Sequence, residues 1–203
     1  MAEMGTPPPE VASGEIDAIL TFLRAAERLK TVVRSGWTSA GDPESVADHT
    51  WRLCLMAMLF YGRRSEVDLL RLLKMCLIHD MGEALSGDVP APAQRAGSGK
   101  ATQERSDLLE LTQSLPPVLR QEIVELWDEY EAGRSLEGRL AKGMDKLETI
   151  LQHTQGRNPP GFDYAFNLTY GTRFTSTEPL LAEVRARLDK ETARLGNSRA
   201  VHP

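Results

Sequence analysis

Leu69-Leu-Arg-Leu-Leu-Lys-Met-Cys-Leu-Ile-His79-Asp80-Met-Gly-Glu83 is the stretch on which the reading of this chain turns. Apolar residues fill almost every position from Leu69 to Ile78, so the spacing predicts a helix without a real polar face. Such a helix belongs near the centre of a bundle. It then ends in a histidine and an aspartate. Burying a carboxylate costs several kcal/mol unless it is paired or ligates a metal. A cation that takes imidazole nitrogen and carboxylate oxygen together removes that cost for both side chains. Adjacent helical residues point about 100° apart, so other helices must complete the coordination shell.

Working outward, Ser65 and Glu66 open this helix. A preceding helix runs from near Pro43 to Tyr61 and carries His49 in its first turns; Asp42 can cap it with Pro43 as first residue, or Ser45 can cap it with Asp48 in a capping-box position. Residues 35–42 read as a loop, and Ile16, Ile19, Leu20, Phe22, Leu23 and Leu29 mark a first helix. Beyond Glu83, residues 86–100 form a Pro/Gly/Ser/Ala-rich loop expected to act as a mobile wall. Helices follow at roughly 101–114, 116–132 and 135–156. Asn158-Pro-Pro-Gly161 is a break, 162–170 a short aromatic segment, and 178–195 a charged amphipathic helix. The expected architecture is all-α, a compact single-domain helical bundle of seven or eight helices over residues 14–195. Residues 1–13 read as a disordered tail and 196–203 as a C-terminal tail.

The chain has 203 residues, 41% apolar and 26% charged, with net charge −5, which fits one soluble globular domain and argues against binding nucleic-acid polymers or anionic membranes. No signal peptide or membrane-spanning run is apparent, and Cys54 and Cys76 read as buried reduced thiols, together suggesting the cytoplasm.

Asp145 lies at the edge of a core-facing stripe of Leu140, Met144, Leu147 and Leu151. His49, His79, Asp80 and Asp145 then come from three helices as candidate metal ligands. His153 lies about 12 Å along the helix from Asp145 and is out of reach. Read alone, Asp145 could equally pair with Lys142 or Lys146, and Glu83 could be a helix-end charge. Trp127 and Tyr130 read as core.

Arg34-Ser-Gly-Trp37, Pro43-Glu-Ser-Val-Ala-Asp-His49, His79-Asp-Met-Gly-Glu83, Gly87-Asp88-Val-Pro90 and Asp145-Lys146, in that order, resemble the 5′-deoxynucleotidase branch of the HD superfamily of metal phosphohydrolases, over about residues 15–195. The resemblance implies a helical bundle, usually a homodimer, that removes phosphate from deoxynucleoside 5′-monophosphates. It implies His49, His79, Asp80 and Asp145 as ligands of a divalent cation, cobalt, manganese or similar, with magnesium or zinc as alternatives. It implies Arg34 and Trp37 as phosphate and sugar contacts, and Glu83 and Asp88 beside the metal; Asp88, Val89 and Pro90 are further substrate-binding candidates. Thr38-Ser-Ala-Gly-Asp42 is shorter than the family's usual segment and lacks its arginine, so base or sugar preference can differ.

The chemistry follows. The metal acidifies water and screens phosphoryl charge. Glu83, four residues after His79, lies one turn along the same face if the helix continues, a position for a base. Asp88 orients water or protonates the leaving oxygen, and Arg34 forks onto phosphate. The rivals are a triphosphohydrolase, a phosphodiesterase, and a nucleotide-binding regulator without turnover. The last should have lost Glu83 or Asp88, and both are present.

Overall fold

Helix 136–155 is buried nearly throughout, from Gly138 to Thr154, and the other elements are arranged around it. A helix buried on all sides is usually apolar. This one carries Lys142, Asp145, Glu148, Gln152 and His153 among its buried residues, so its polar side chains must be satisfied by neighbours rather than by water.

The computed structural model describes residues 12–94 and 99–200. Within them the order is α1 (Ser13–Ala26), a 3-10 turn (Glu27–Lys30), β1 (Val33–Trp37), β2 (Pro43–Ser45), α2 (Val46–Tyr61), α3 (Leu69–Ile78), α4 (Glu83–Ser86), α5 (Lys100–Leu111), α6 (Pro117–Ala132), α7 (Leu136–Gln155), α8 (Tyr164–Asn167), α9 (Thr172–Thr175) and α10 (Pro179–Ala200). The all-α expectation holds, with seven helices of ten residues or more among the described residues. Most of the N-terminal tail, the end of the C-terminal tail with His202, and residues 95–98 of the 86–100 loop lie outside them. No helix among the described residues is long and apolar enough to cross a membrane.

α7 packs against α2, α3, α6, α9, α10 and β1. Leu53, Leu72, Met75, Leu108, Leu140, Met144, Leu147 and Ile150, each essentially without solvent exposure, form the core between these helices. At about 25 cal/mol per Å², each fully buried leucine or isoleucine contributes roughly 1.5–3 kcal/mol.

Several local readings need correction. β1 and β2 form a small antiparallel hairpin, pairing Val33 with Ser45 and Trp37 with Pro43, where the sequence suggested a loop and a helix start. The second helix therefore begins at Val46 with Ser45 as cap: Ser45 Oγ accepts from Asp48 N (3.1 Å) and Ser45 N donates back to Asp48 Oδ2 (3.0 Å). Helix α3 starts after Asp68, whose side chain accepts from Arg71 N (3.0 Å), and it is not the centre of the bundle, since Leu70 and Leu77 are 65% and 54% exposed. α7 takes the central place, packed on several sides by other elements. Helix α10 runs to Ala200, past the expected end at 195.

Candidate metal centre

α3 stops at His79, its C-cap, and the chain turns before α4 begins at Glu83. Glu83 is thus not on a continuing helix. Gly82 makes the turn workable: a Cβ there would sit 2.4 Å from the Glu104 carbonyl oxygen of α5. Gly87, at φ +81°, then turns the chain out of α4 toward Asp88, a conformation that favours glycine.

Both histidines are oriented through Nδ1. His79 Nδ1 donates to the Cys76 carbonyl (2.8 Å), and His49 Nδ1 faces Glu148 Oε2. A carbonyl or carboxylate only accepts, so in the neutral rings the proton lies on Nδ1 and the lone pair on Nε2. Both Nε2 atoms are buried with no hydrogen-bond partner. Asp145 Oδ1 lies 3.5 Å from His49 Nε2 and 4.0 Å from His79 Nε2; Asp80 Oδ2 lies 3.1 Å from His79 Nε2 and 3.9 Å from His49 Nε2. Ligands on one ion at bond lengths of about 2.1 Å stand roughly 3–3.5 Å apart, so the spacing suits a divalent cation. The ligand atoms of His49, His79 and Asp145, all buried, lie within 4.8 Å of one another, and Asp80 adjoins them.

Electrostatics agree. Burial disfavours ionisation of Asp80, but His79 and Arg34 outweigh it and hold the carboxyl well below its usual range. Asp145 is likewise buried yet held low by Lys146, His49 and His79. Lys146 Nζ and Tyr130 Oη donate to its Oδ2 (2.7 and 3.0 Å). Burial and Arg34 oppose a proton on His49, but the charge of Glu148 and the nearby carboxylates of Asp145 and Glu148 lift it to about 9. The cluster demands positive charge; without an ion a proton supplies it, and an ion must displace that proton.

The cluster opens into a cavity of about 770 Å³. Arg34, Glu83 and Asp88 line it, and Arg34 donates to Asp80 Oδ2 (2.9 Å) and Thr149 Oγ1 (3.2 Å). Glu83 is 2% exposed, with Lys100 3.5 Å from Oε1 and no partner for Oε2. Burial, Asp80 and Asp88 push Glu83 up to about 9; burial also raises Asp88, despite Arg34. Lys142, Lys146, Phe166, Tyr170, Arg173 and Phe174 also line the cavity.

Trp37, Val89 and Pro90 do not line this cavity. Trp37 packs edge-on against Phe162 (centroids 6.3 Å apart), and its carbonyl accepts from Gln152. Val89 is 41% exposed and borders an adjoining pocket. The hairpin and the Gln152 hydrogen bond fix the tryptophan backbone against the bundle. His153 does border the cavity, but its Nδ1 pairs with Asn167 (2.8 Å). Sequence reasoning missed Glu44, Arg52, Tyr130 as a ligand partner, Glu148 and Thr149. A signal existed for two of them: Arg52 follows His49, and Glu148 follows Asp145, by three helical positions, hence on the same face.

With this geometry in view, the comparisons are consistent. The family model described as HD domain matches residues 26–185. A mouse protein named 5′-deoxynucleotidase HDDC2 is 37% identical over 155 residues, 74% of this chain and 77% of its own length. The bovine protein of that name is 36% identical over 83% of this chain and 84% of its own. A crystal structure of a predicted metal-dependent phosphohydrolase from Magnetospirillum magnetotacticum superposes with TM-score 0.76 at 27% identity, covering 91% of this chain and 98% of that one.

Proposed function

The chain belongs to the HD-domain family, and from that premise we propose that it is a metal-dependent 5′-deoxynucleotidase, which hydrolyses deoxynucleoside 5′-monophosphates to deoxynucleosides and phosphate. The observation that carries the reading is the pair of buried, partnerless Nε2 atoms of His49 and His79 converging with Asp145 and Asp80 at the floor of a nucleotide-sized cavity.

His49, His79, Asp80 and Asp145 would hold the ion. Two nitrogens and two carboxylate oxygens suit cobalt or manganese, with zinc and magnesium as alternatives. When bound, it supplies Lewis acidity, neutralising phosphoryl charge and acidifying water. Arg34, at the edge of the cluster, offers its remaining donors to phosphate while steadying Asp80. Glu83 handles the proton. Positive charge beside Asp80 offsets one cause of its raised pKa and returns it toward the range in which it takes a proton from water. Asp88, in the same cavity, is placed to return a proton to the departing 5′-oxygen. Lys146 lies beside the ligands, and Phe166, Tyr170 and Phe174 offer aromatic faces to the nucleoside.

Exposed Trp51, Leu59, Leu70 and Leu77 on the mutually packed α2 and α3 support a second copy docking there. Trp51→Glu should turn a dimer into a monomer in analytical ultracentrifugation; an unchanged mass removes this face from the interface. Free cysteines Cys54 and Cys76 support a reducing compartment, the cytoplasm.

The deciding experiment is phosphate release from nucleoside monophosphates with and without several divalent cations. Metal-dependent release from deoxynucleotides over ribonucleotides is expected. Tripolyphosphate release from triphosphates, or tight binding without turnover, would replace this reading by one of its rivals.

A further inference from the structure

We propose that Glu148, fixed by Arg52, is a positioning residue that makes His49 a metal ligand. The role rests on the metal reading of the cluster but not on the identity of the substrate.

Glu148 has no solvent exposure. Its two oxygens are divided between two partners. Oε2 takes the Nδ1 side of His49, and Oε1 accepts from Arg52 Nε at 2.6 Å. His49 is itself fully buried, so no water competes for Nδ1. A carboxylate there holds the proton on Nδ1 and leaves the Nε2 lone pair facing Asp145, 3.5 Å away. His79 obtains the same tautomer from a backbone carbonyl, that of Cys76. The orientation of His49 alone depends on a side chain, and so on whatever holds that side chain.

Arg52 does the holding. Its guanidinium also reaches Gln152, which donates to the Trp37 carbonyl, and Gln155 at 3.3 Å. It lies 3.7 Å from Glu44, which lies 3.6 Å from Arg34, whose Nη1 donates to Asp80 Oδ2 at 2.9 Å. Basic and acidic side chains therefore alternate from His49 through Glu148, Arg52, Glu44 and Arg34 to Asp80, beginning and ending on candidate ligands. Glu148, between His49 and Arg52, is held below the usual carboxylate range, whereas burial and the charge of Glu148 push Glu44 up despite its basic neighbours, so the network centres on Glu148 and Arg52. Gly36 belongs to this packing: a Cβ there would lie 2.9 Å from Gln152 Cγ and 3.0 Å from Glu44 Oε2.

A purely structural Glu148–Arg52 ion pair makes a different prediction. Losing it would lower the stability of the metal-free fold and leave the folded protein's metal affinity alone. The test is calorimetric titration of Mn²⁺ into the metal-free full chain, beside its thermal unfolding. In Glu148→Gln the amide can turn its NH₂ toward Nδ1 and force the proton onto Nε2. Mn²⁺ should then bind about 10–100-fold more weakly, the usual loss on removing an orienting carboxylate. Wild-type Mn²⁺ affinity in folded Glu148→Gln overturns the proposal. If that variant does not fold, Arg52 decides, since its side chain is 18% exposed and lies at the edge of the network. Arg52→Gln should weaken Mn²⁺ binding about 5-fold, the scale of one net hydrogen bond, and Arg52→Lys should recover part of the loss. Unchanged affinity in Arg52→Gln overturns it equally. A wild-type protein that takes up no Mn²⁺ removes the metal centre as a whole, a failure recognisable before any variant is made.

Discussion

The two sides of the cavity treat carboxylates in opposite ways. On the α2–α7 side, Asp145 and Glu148 are buried against cations and imidazoles and are held below the usual carboxylate range. On the α4 side, Glu83 and Asp88 are buried against each other and against Asp80, and both are pushed up. Burial is common to all four; cations and imidazoles outweigh it at Asp145 and Glu148, acidic neighbours add to it at Glu83, and Arg34 does not overcome it at Asp88. Permanently ionised carboxylates suit ligation. Carboxyls whose proton is loosely placed suit proton transfer. A single pocket can thus bind a cation at one wall and move protons at the other.

The contrast can be broken by experiment. The largest effect is expected on the ligating side. Asp80→Ala should reduce metal-dependent phosphate release by at least about 1,000-fold, the several kcal/mol that metal charge stabilisation supplies. Wild-type turnover in that variant would put the ligand cluster elsewhere. On the other side, Glu83→Gln should slow turnover by about 10²–10⁴-fold, the range for a lost general base, while Mn²⁺ affinity stays near wild type. A matching loss of Mn²⁺ affinity would make Glu83 a ligand and erase the distinction between the walls.

The same substitution has a second, smaller signature. Glu83 titrates at about 9 in the metal-free fold against 4.5 when free. The folded protein therefore holds an extra proton between those values. The stability this proton contributes is complete below pH 4.5 and is lost as pH rises through 9. Glutamine cannot ionise. The metal-free Glu83→Gln protein should therefore unfold about 4–8 °C above wild type at alkaline pH, on a penalty of about 2 kcal/mol for a buried unpaired charge. Near pH 4.5 the gap should close. A melting-temperature difference that does not vary with pH would show that charge is not its cause. The smallest effect belongs to the wall that touches neither ligand nor proton. Phe174→Ala should raise KM about 5-fold, the lower end of an aromatic–base stack, and leave kcat and Mn²⁺ affinity in place. A kcat effect without a KM effect would place the nucleoside elsewhere in the cavity.

Legibility in the sequence followed the range of the interaction. His79 and Asp80 stood out because an imidazole and a carboxylate at the end of an apolar helix both need a partner, and one cation serves the two. Local caps were read only in part: Ser45 with Asp48 stood as one of two alternatives, and the Asp68 cap of α3 was missed. The β1–β2 hairpin could not, because Val33–Trp37 acquires strand geometry only by pairing with Pro43–Ser45 across an intervening turn. Trp37 looked like a sugar contact beside Arg34, yet the hairpin turns its ring onto Phe162. Tyr130 was rightly placed in the core, but its hydroxyl on Asp145 depends on how α6 lies against α7.

Composition and periodicity were enough to specify an all-helical fold with a candidate metal cluster, because burial pattern and ligand type are properties of the residues themselves, and the resemblance of the ordered motifs to the HD superfamily implied a phosphohydrolase. The network of Glu148 and Arg52 behind His49, the opposed protonation of the two walls and the packing of Trp37 on Phe162 came only with the tertiary structure. Those features depend on distances of about 3–6 Å between residues far apart in the chain, and which residues come that close has no image in sequence order.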